Sequence, residues 1–239
     1  MKVDAKRRLL WGCTAGHMQM ANAKPEDDGK TAVFKYDLAS EKLLKKYPVP
    51  KDGRKHWLGD LALDSQGNIY ASDSLSPAIY MIRRDKDEIE TLLAESPFIN
   101  PQGIVVTPDE KKLVMADYLK GLFLIDLQTR QVQEIPAPEN VTLLGMDGIY
   151  RVGNDIIAVQ NGITPNRVVR LKMSDDFRRV EKLEILEVNN PVFDEPTLGV
   201  VVGDRFYFIA DSQWGAIDDK GALAPEDKLR DPIILRLKL

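Results

Sequence analysis

The chain has 239 residues, of which 44% are hydrophobic and 29% are charged, and its formal net charge is −4. This modest negative charge, without a lysine or arginine block longer than residues 6–8, argues against a nucleic-acid partner. No apolar run approaches the roughly 20 residues that a membrane-spanning helix needs, so no membrane partner is expected. The single cysteine, Cys13, excludes an internal disulfide and a multi-cysteine zinc site.

The N-terminus lacks the pattern of a secretory signal. Met1 is followed by a basic stretch and then by a short apolar run at residues 9–13, which is too short for the hydrophobic region of a signal. We therefore expect a cytoplasmic chain as given, while a longer parent protein could carry a signal for secretion or for the periplasm.

Four segments of the sequence repeat one plan, namely residues 56–74, 98–118, 145–162 and 195–212. Each has a polar residue, a short apolar strand, a polar turn and a second apolar strand that ends in a polar group. Aligned on the first polar residue, the markers of these segments are Asp60, Gln102, Asp147 and Thr197. Repeats of about 40–50 residues made of several short strands are typical of propeller blades.

The predicted strands form five repeats within a single domain over residues 1–239. The repeats span approximately 1–52, 53–96, 97–140, 141–190 and 191–239. The middle three each hold four apolar runs of period two separated by turn residues, which is the pattern of an antiparallel meander. No window sustains a helical stripe of apolar residues. The sequence therefore predicts an all-β fold, a β-propeller of about five four-stranded blades.

The two outer repeats are incomplete. The first has an innermost strand reduced to residues 2–4, and the last has strands at 197–202, 205–210 and 232–239 but no fourth strand. Unpaired strand edges favour pairing with another chain. We therefore expect either a homo-oligomer held through this unclosed seam or a closed ring in which the first repeat packs on the last. The long polar insert at 213–231 is either a functional lid or a surface loop without a role.

Polar residues mark the point where each inner strand begins. Because the inner strands line the central channel of a propeller, the residues that lead into them face the channel axis. Asp60, Gln102 and Asp147 should meet there from three neighbouring blades, and Thr197 or Glu195 would complete the ring. Carboxylate and amide oxygens around one point suit a hard divalent cation such as Ca²⁺ or Mg²⁺. The alternative is that each residue caps a turn by accepting bonds from nearby backbone N–H groups.

A second set of polar residues ends the second strand of the repeats, and its members are Asp73, Asp117, Gln160 with Asn161, and Asp211. Their recurrence in the same position favours a structural role, such as binding the backbone of the next loop. Asp211 is the most site-like member, because Trp214 follows it closely.

Both histidines lie near the predicted channel face. His17 follows the second strand of the first repeat, and His56 precedes the inner strand of the next. A histidine there could act as a general base on water, and an exposed loop histidine without a role is the alternative. The sequence contains no serine elbow, phosphate-binding loop, zinc-protease helix or dinucleotide-binding glycine motif.

Residues 100–118 (NPQGIVVTPDEKKLVMADY) and 146–159 (MDGIYRVGNDIIAV) resemble segments of the senescence-marker-protein, gluconolactonase and strictosidine-synthase-like propeller superfamily. The chain is more distantly similar to paraoxonase. Residues 58–74 and 199–215 also resemble this group, so the likeness spans nearly the whole chain. Members are typically six-bladed, hold a divalent metal at one end of the channel, and in many cases hydrolyse lactones or related esters. The chain looks like a member that lacks its first blade.

The resemblance implies roles for individual residues. Asp147 matches the family's metal-binding aspartate, Gln102 stands where an asparagine is usual, and Asp60 matches a position near a substrate- or metal-facing asparagine. His17 lies where paraoxonase-like members place a channel-facing histidine. The first-blade acid of the family's metal site has no counterpart in this chain.

The resemblance thus implies a lactonase- or esterase-like hydrolase that uses a divalent cation, Ca²⁺ foremost, at the channel mouth. The ligands expected for the metal are Asp147, Gln102, Asp60 and Glu195, and the base on metal-activated water is Asp147 or His17. The residues expected to contact a small lactone or ester are His56, Tyr118, Asn161, Asp211 and Trp214. Two alternatives stay open: a non-catalytic propeller that binds a small molecule or a protein, and a truncated or engineered five-bladed form that has lost activity.

Overall fold

The computed structural model describes residues 1–20, 22–94 and 97–239. Over this part of the chain the fold is all-β, a five-bladed β-propeller, as predicted. Four blades are four-stranded antiparallel sheets, and the fifth has three strands. The described residues contain no α-helix, and none of their helical turns is long and apolar enough to cross a membrane.

The strands of each blade follow one another in chain order from the channel outward. Blade 1 holds β1 (Lys2–Asp4), β2 (Leu9–Ala15), β3 (Thr31–Asp37) and β4 (Leu43–Pro48). Blade 2 holds β5 (Leu58–Leu63), β6 (Ile69–Asp73), β7 (Ala78–Arg83) and β8 (Glu88–Leu93). Blade 3 holds β9 (Pro101–Val106), β10 (Lys112–Asp117), β11 (Gly121–Asp126) and β12 (Val132–Ile135). Blade 4 holds β13 (Met146–Val152), β14 (Asp155–Gln160), β15 (Arg167–Met173) and β16 (Val180–Val188). Blade 5 holds β17 (Gly199–Val202), β18 (Arg205–Ile209) and β19 (Ile234–Lys238).

The hydrophobic core of the described residues lies in four layers between neighbouring blades. Because side chains alternate between the two faces of a strand, a central blade buries one set of residues against each neighbour. Each layer unites residues of two neighbouring blades, for example Trp11 and Leu61, Ile79 and Leu113, Val114 and Ile156, and Ile157 and Phe206. Blades 2, 3 and 4 are therefore covered on both faces.

Among the described residues, no fifth layer of buried hydrophobic side chains joins blade 5 to blade 1. Val3 of blade 1 and Val200 and Val202 of blade 5 are 53%, 54% and 58% accessible. The expected closed ring, with the first repeat packed directly on the last, is therefore not what the structure shows, because the side chains on these two faces do not interdigitate. The homo-oligomer stays a prediction.

The insert at 213–231 spans this seam. It leaves the end of the second strand of blade 5 and reaches the loop that follows β2 of blade 1. There Gln19 Nε2 donates a hydrogen bond to the carbonyl oxygen of Ile217 at 3.5 Å. Gly221 packs so closely on the backbone of Met18 that a Cβ on the glycine would lie 2.6 Å from the Met18 carbonyl oxygen. The contact between the ends of the ring is thus made by loops rather than by sheets.

Candidate functional site at the channel mouth

A β-bulge at the start of the inner strand gives blades 2, 3 and 4 the same local geometry. In each blade, two residues of the inner strand face one residue of the second strand: Gly59 and Asp60, Gln102 and Gly103, and Asp147 and Gly148. Bulges bend a strand and redirect its side chains. The glycine in blade 3 is required by close packing, because a Cβ on Gly103 would lie 2.5 Å from the backbone nitrogen of Ile149 in blade 4.

This register corrects the alignment of the sequence markers in blade 2. Gly59 is equivalent to Gln102 and Asp147, whereas Asp60 occupies the glycine position of the other two blades. Asp60 therefore lies one residue further along its strand than Gln102 and Asp147 do along theirs, and the three side chains do not form one ring. A Cβ on Gly59 would lie 2.9 Å from Gln102 Oε1, so this glycine leaves room for the neighbouring amide.

Asp147 is the centre of a hydrogen-bonded cluster at the channel mouth. Its Oδ2 accepts hydrogen bonds from Thr197 Oγ1 at 2.5 Å and from Asn161 Nδ2 at 3.2 Å. Asn161 Oδ1 in turn accepts a bond from the Tyr118 hydroxyl at 2.9 Å. Blades 3, 4 and 5 thus each contribute to one polar cluster, which unites four residues that the sequence analysis singled out. We refer to these four residues as the Asp147 cluster.

Asp147 and Glu195 are two carboxyl groups of the channel mouth with a raised pKa. Burial raises the pKa of Asp147, the hydrogen bond from Thr197 opposes this, and the charge of Asp60 raises the pKa further. Burial and the charge of Asp147 raise the pKa of Glu195, which lies at the exposed rim. Carboxyl groups in the blade turns behave differently: hydrogen bonds from neighbouring groups lower the pKa of Asp126. Upward shifts within a cleft are typical of functional sites.

Lys2 of blade 1 crosses the channel to balance the charge of Asp60. Asp60 is 4% accessible, and its Oδ1 lies 3.4 Å from Lys2 Nζ. The same ammonium group lies 5.0 Å from the ring centre of Tyr150 in blade 4, which is a cation–π distance. Oδ2 of Asp60 is buried and has no hydrogen-bond partner among the described residues. Lys2 could not be predicted as part of this site, because nothing in a three-residue strand indicates that its side chain reaches two other blades.

Cys13 lies close to this ion pair. Burial and the charge of Asp60 raise the pKa of its thiol to about 11. The thiol therefore stays protonated at neutral pH, in agreement with a cysteine that serves as a small hydrophobic residue.

The donor set expected for a divalent cation is altered by the ammonium group of Lys2, which lies against Asp60. Gln102 Nε2 donates to Asn100 Oδ1 at 2.6 Å, Oδ2 of Asp147 is taken by two donors, and Asp60 is paired with Lys2. In the part of the chain that the structure describes, no group of three His, Cys, Asp or Glu side chains is arranged to hold a metal. With the Lys2 ammonium group 3.4 Å from Asp60 Oδ1, the residues as arranged do not fit a divalent ion at this carboxylate, because the two positive charges would repel each other.

Three aromatic rings form a wall beside the channel mouth, which we call the aromatic wall: His17, Trp57 and Trp214. The ring centres of His17 and Trp57 are 4.7 Å apart, and those of Trp57 and Trp214 are 6.2 Å apart. Trp214, in the insert at 213–231, is 49% accessible. The structure thus brings two predicted residues together and adds Trp57. Its position directly before β5 is a signal that the sequence analysis could have used.

His56 is buried between two carboxylates. It is 5% accessible, its Nδ1 lies 2.7 Å from Asp73 Oδ2, and its Nε2 lies 2.9 Å from Asp52 Oδ1. Both ring nitrogens are therefore engaged, which favours a structural role over the expected substrate contact. A cavity of about 470 Å³ adjoins His56. Its lining includes no residue of the Asp147 cluster or the aromatic wall, so we place the candidate site at the channel mouth instead.

The polar residues that end the second strands bind backbone, as the structural reading predicts. Asp117 is fully buried, and its two oxygens accept four backbone N–H groups, two before β9 and two in the turn after β10. Asp73 repeats this in blade 2 with three backbone N–H groups. In blade 4 the donor and acceptor roles are exchanged, because Gln160 Nε2 donates to the carbonyl oxygens of Thr142 and Leu144.

Asp211 also has a structural partner, in this case Arg230. Asp211 is 1% accessible, and its Oδ2 lies 3.3 Å from Arg230 Nε. Arg230 pairs with Asp194 as well, and its backbone exchanges two hydrogen bonds of 2.8 Å with the side chain of Gln213. Arg230, which the sequence analysis missed, therefore fastens the two ends of the insert at 213–231 to blade 5. The expected substrate contact of Asp211 would have to compete with this arginine.

No protein-family model and no curated protein sequence matches the chain. Solved structures do. The virginiamycin B lyase of Staphylococcus aureus is similar with a TM-score of 0.54 and 18% identity, over 74% of this chain and 55% of the lyase. A chain of the nidogen/laminin complex gives a TM-score of 0.58 and 14% identity, over 87% and 86% of the two chains. A luciferin-regenerating enzyme gives 0.53 and 14%, over 87% and 71%.

These likenesses concern the fold alone, because every identity is too low to carry an activity from one protein to the other. The chain spans about half the length of the virginiamycin B lyase, since 55% of the lyase is covered. Two of the similar structures are enzymes by name and one comes from a complex between proteins. The chain is thus a β-propeller whose fold is shared by enzymes and by proteins that bind other proteins.

Proposed function

We propose that this chain binds a small lactone or ester at the channel mouth and hydrolyses it by acid–base chemistry. The observation that carries the proposal is the Asp147 cluster, which holds a carboxylate at one end of the channel; burial raises the pKa of Asp147, and burial and the charge of Asp147 raise that of Glu195. A carboxylate with a raised pKa is a stronger base, and a carboxyl group with a raised pKa keeps its proton to higher pH. Both properties serve acid–base catalysis near neutral pH.

Asp147 is the base in this proposal. Thr197 and Asn161 hold its Oδ2, which leaves Oδ1 to take a proton from water. Tyr118 fixes the orientation of Asn161 through its hydroxyl. The oxygen of the water then bonds to the carbonyl carbon, the ester C–O bond breaks, and Glu195 gives its proton to the leaving oxygen.

A second candidate function, binding without turnover, is favoured by the aromatic wall. A tryptophan ring exposed to water has a large apolar surface, and covering this surface with an apolar ligand lowers the free energy. Trp214 and Trp57 provide such a surface, at the same end of the propeller as the Asp147 cluster, since Trp57 directly precedes β5 and Asp147 lies at the start of β13. A ligand with an apolar side and a hydrogen-bonding side would fit both surfaces, whether or not it is hydrolysed.

The test measures binding and turnover separately. Tryptophan fluorescence follows binding of a panel of γ-lactones, δ-lactones and aryl esters, and acid release follows hydrolysis. Asp147→Asn should lower turnover by about 100-fold or more, the contribution of a positioned base, while quenching by the ligand persists. Asp126→Asn, a carboxylate in an outer turn, is the matched control and should leave turnover unchanged.

Three outcomes separate the candidates. Equal turnover by wild type and Asp147→Asn would overturn the hydrolase proposal. Quenching without turnover by the wild type would favour the second candidate. A panel that neither quenches nor reacts would speak against a lactone or ester site at the channel mouth.

A further inference from the structure

A buried carboxylate inside a propeller channel needs a counter-charge. Asp60 is 4% accessible, and an isolated ionised carboxylate at that depth is strongly disfavoured. Such a site can obtain its positive charge from a bound metal ion or from a side chain. In this chain a side chain supplies it, since Lys2 Nζ lies 3.4 Å from Asp60 Oδ1.

The position of the lysine is defined from two sides. Its ammonium group also lies 5.0 Å from the ring centre of Tyr150, and the Tyr150 hydroxyl accepts a hydrogen bond from the Gly199 backbone at 2.6 Å. The Lys2 side chain is 24% accessible. It therefore spans from blade 1 to blades 2 and 4 and places a fixed positive charge within the channel.

This charge conflicts with a divalent ion at the same carboxylate. A metal bound to Asp60 would lie within a few ångströms of the ammonium group, and two like charges at that separation repel strongly away from bulk water. The hydrogen bonds of the other expected ligands involve Gln102 Nε2 and Asp147 Oδ2, so the charge of Lys2 is the feature that opposes a metal ion here.

We propose that the ammonium group of Lys2 is the fixed cation of this channel and takes the place of the divalent metal ion that the family resemblance implies. Like a metal ion, an ammonium group attracts a carbonyl or carboxylate oxygen of a ligand. Unlike a metal ion, it cannot generate hydroxide by lowering the pKa of bound water. The proposal does not depend on hydrolysis and stands equally for a channel that only binds.

The test is a gain of metal binding when the lysine is removed. Thermal unfolding is followed with millimolar CaCl₂, MgCl₂ or MnCl₂ and without metal, at constant ionic strength. Wild type should show no metal-dependent change of Tm. Lys2→Met, which keeps the length but not the charge, should have a lower Tm without metal, because Asp60 is left unpaired. It should gain about 5–10 °C at a hundredfold excess of metal over Kd.

Three further variants isolate the charge. Lys2→Arg keeps it and should remain unresponsive to metal. Lys2→Met combined with Asp60→Asn removes both charges and should also lose the response. Lys35→Met is the matched control, because Lys35 is likewise a blade 1 lysine beside an aromatic ring, 5.4 Å from Trp11, but it pairs with Asp87 outside the channel.

Two results would overturn the proposal. A wild-type Tm that rises with metal as much as that of Lys2→Met would show that metal and lysine coexist. A folded Lys2→Met protein without any metal response would show that the lysine does not occupy a cation site. If Lys2→Met fails to fold without metal, refolding in calcium decides: recovery supports the proposal and failure contradicts it.

Discussion

Asp117→Asn is the sharpest test of how the blades are held at the channel mouth. The side chain is fully buried. Oδ1 accepts the backbone N–H groups of Leu119 and Lys120, each at 3.0 Å. Oδ2 accepts those of Ile99 and Asn100 at 2.6 and 2.9 Å. Asparagine has the same shape but a single acceptor oxygen, so two of the four N–H groups must face an amide NH₂ instead.

The size of the loss follows from those two N–H groups. A buried donor left without its acceptor costs about 1–3 kcal/mol, so the free energy of unfolding should fall by about 2–6 kcal/mol. At about 2–4 °C per kcal/mol for a chain of this length, Tm should fall by roughly 5–20 °C. Urea unfolding followed by tryptophan fluorescence measures the first quantity, and calorimetry measures the second.

Asp126→Asn in the same blade is the matched control. In Asp126 a single oxygen, Oδ1, accepts both backbone N–H groups of its turn, and an asparagine can reproduce this. The control should therefore lose much less stability than Asp117→Asn. Equal losses in the two variants would refute the reasoning that two separate acceptor oxygens are what the buried position requires.

Three other predictions concern the site and the core. Asp147→Asn should raise the free energy of unfolding at neutral pH, because a raised pKa means that the ionised form destabilises the fold. This gain over wild type should shrink as the pH falls through the raised pKa toward the ordinary carboxyl value. Urea titrations over that pH range measure the gain, and they would show no trend if the pKa shift is absent. Phe206→Ala should lose about 3–5 kcal/mol, since this ring is fully buried between Phe208 and Tyr150; a smaller urea-measured loss would mean that blade 5 packs loosely. Arg230→Ala should speed proteolytic cleavage within 213–231, because it removes the link to Asp211; unchanged cleavage would assign the anchoring to other contacts.

The fold could be predicted from the sequence, because the patterns that indicate its strands and turns are local. Alternation of apolar residues and turn residues recurs in every repeat, so the sequence predicts the meanders and the count of blades. The backbone-binding role of Asp73 and Asp117 was predictable for the same reason: one residue type at one repeated position points to one structural task.

The site was harder to predict from the sequence, because its geometry depends on strand register and on how far individual side chains extend to other blades. The order of glycine and polar residue differs between Gly59-Asp60 and the pairs in blades 3 and 4, and a one-residue shift changes the direction of a side chain. The reversed order of glycine and aspartate can be seen in the sequence. However, only the register with the second strand shows which of the two residues is equivalent to Gln102 and Asp147. The contacts of Lys2 and Arg230 join residues far apart in the chain, and no local pattern encodes them.

The five blades are stabilised by four hydrophobic layers, and no such layer joins blade 5 to blade 1 among the described residues. In energetic terms they therefore resemble a linear array of repeats rather than a closed ring. In such arrays each unit is stabilised by its neighbours, and the end units have only one. Blades 1 and 5 should therefore fray before the middle of the array opens. The channel mouth takes Lys2 from one end unit and Thr197 and Glu195 from the other, so it is complete only in the fraction of molecules with both ends docked. The apparent affinity for any ligand there is reduced by that fraction, and a substitution on the outer face of an end unit could alter binding without touching the ligand.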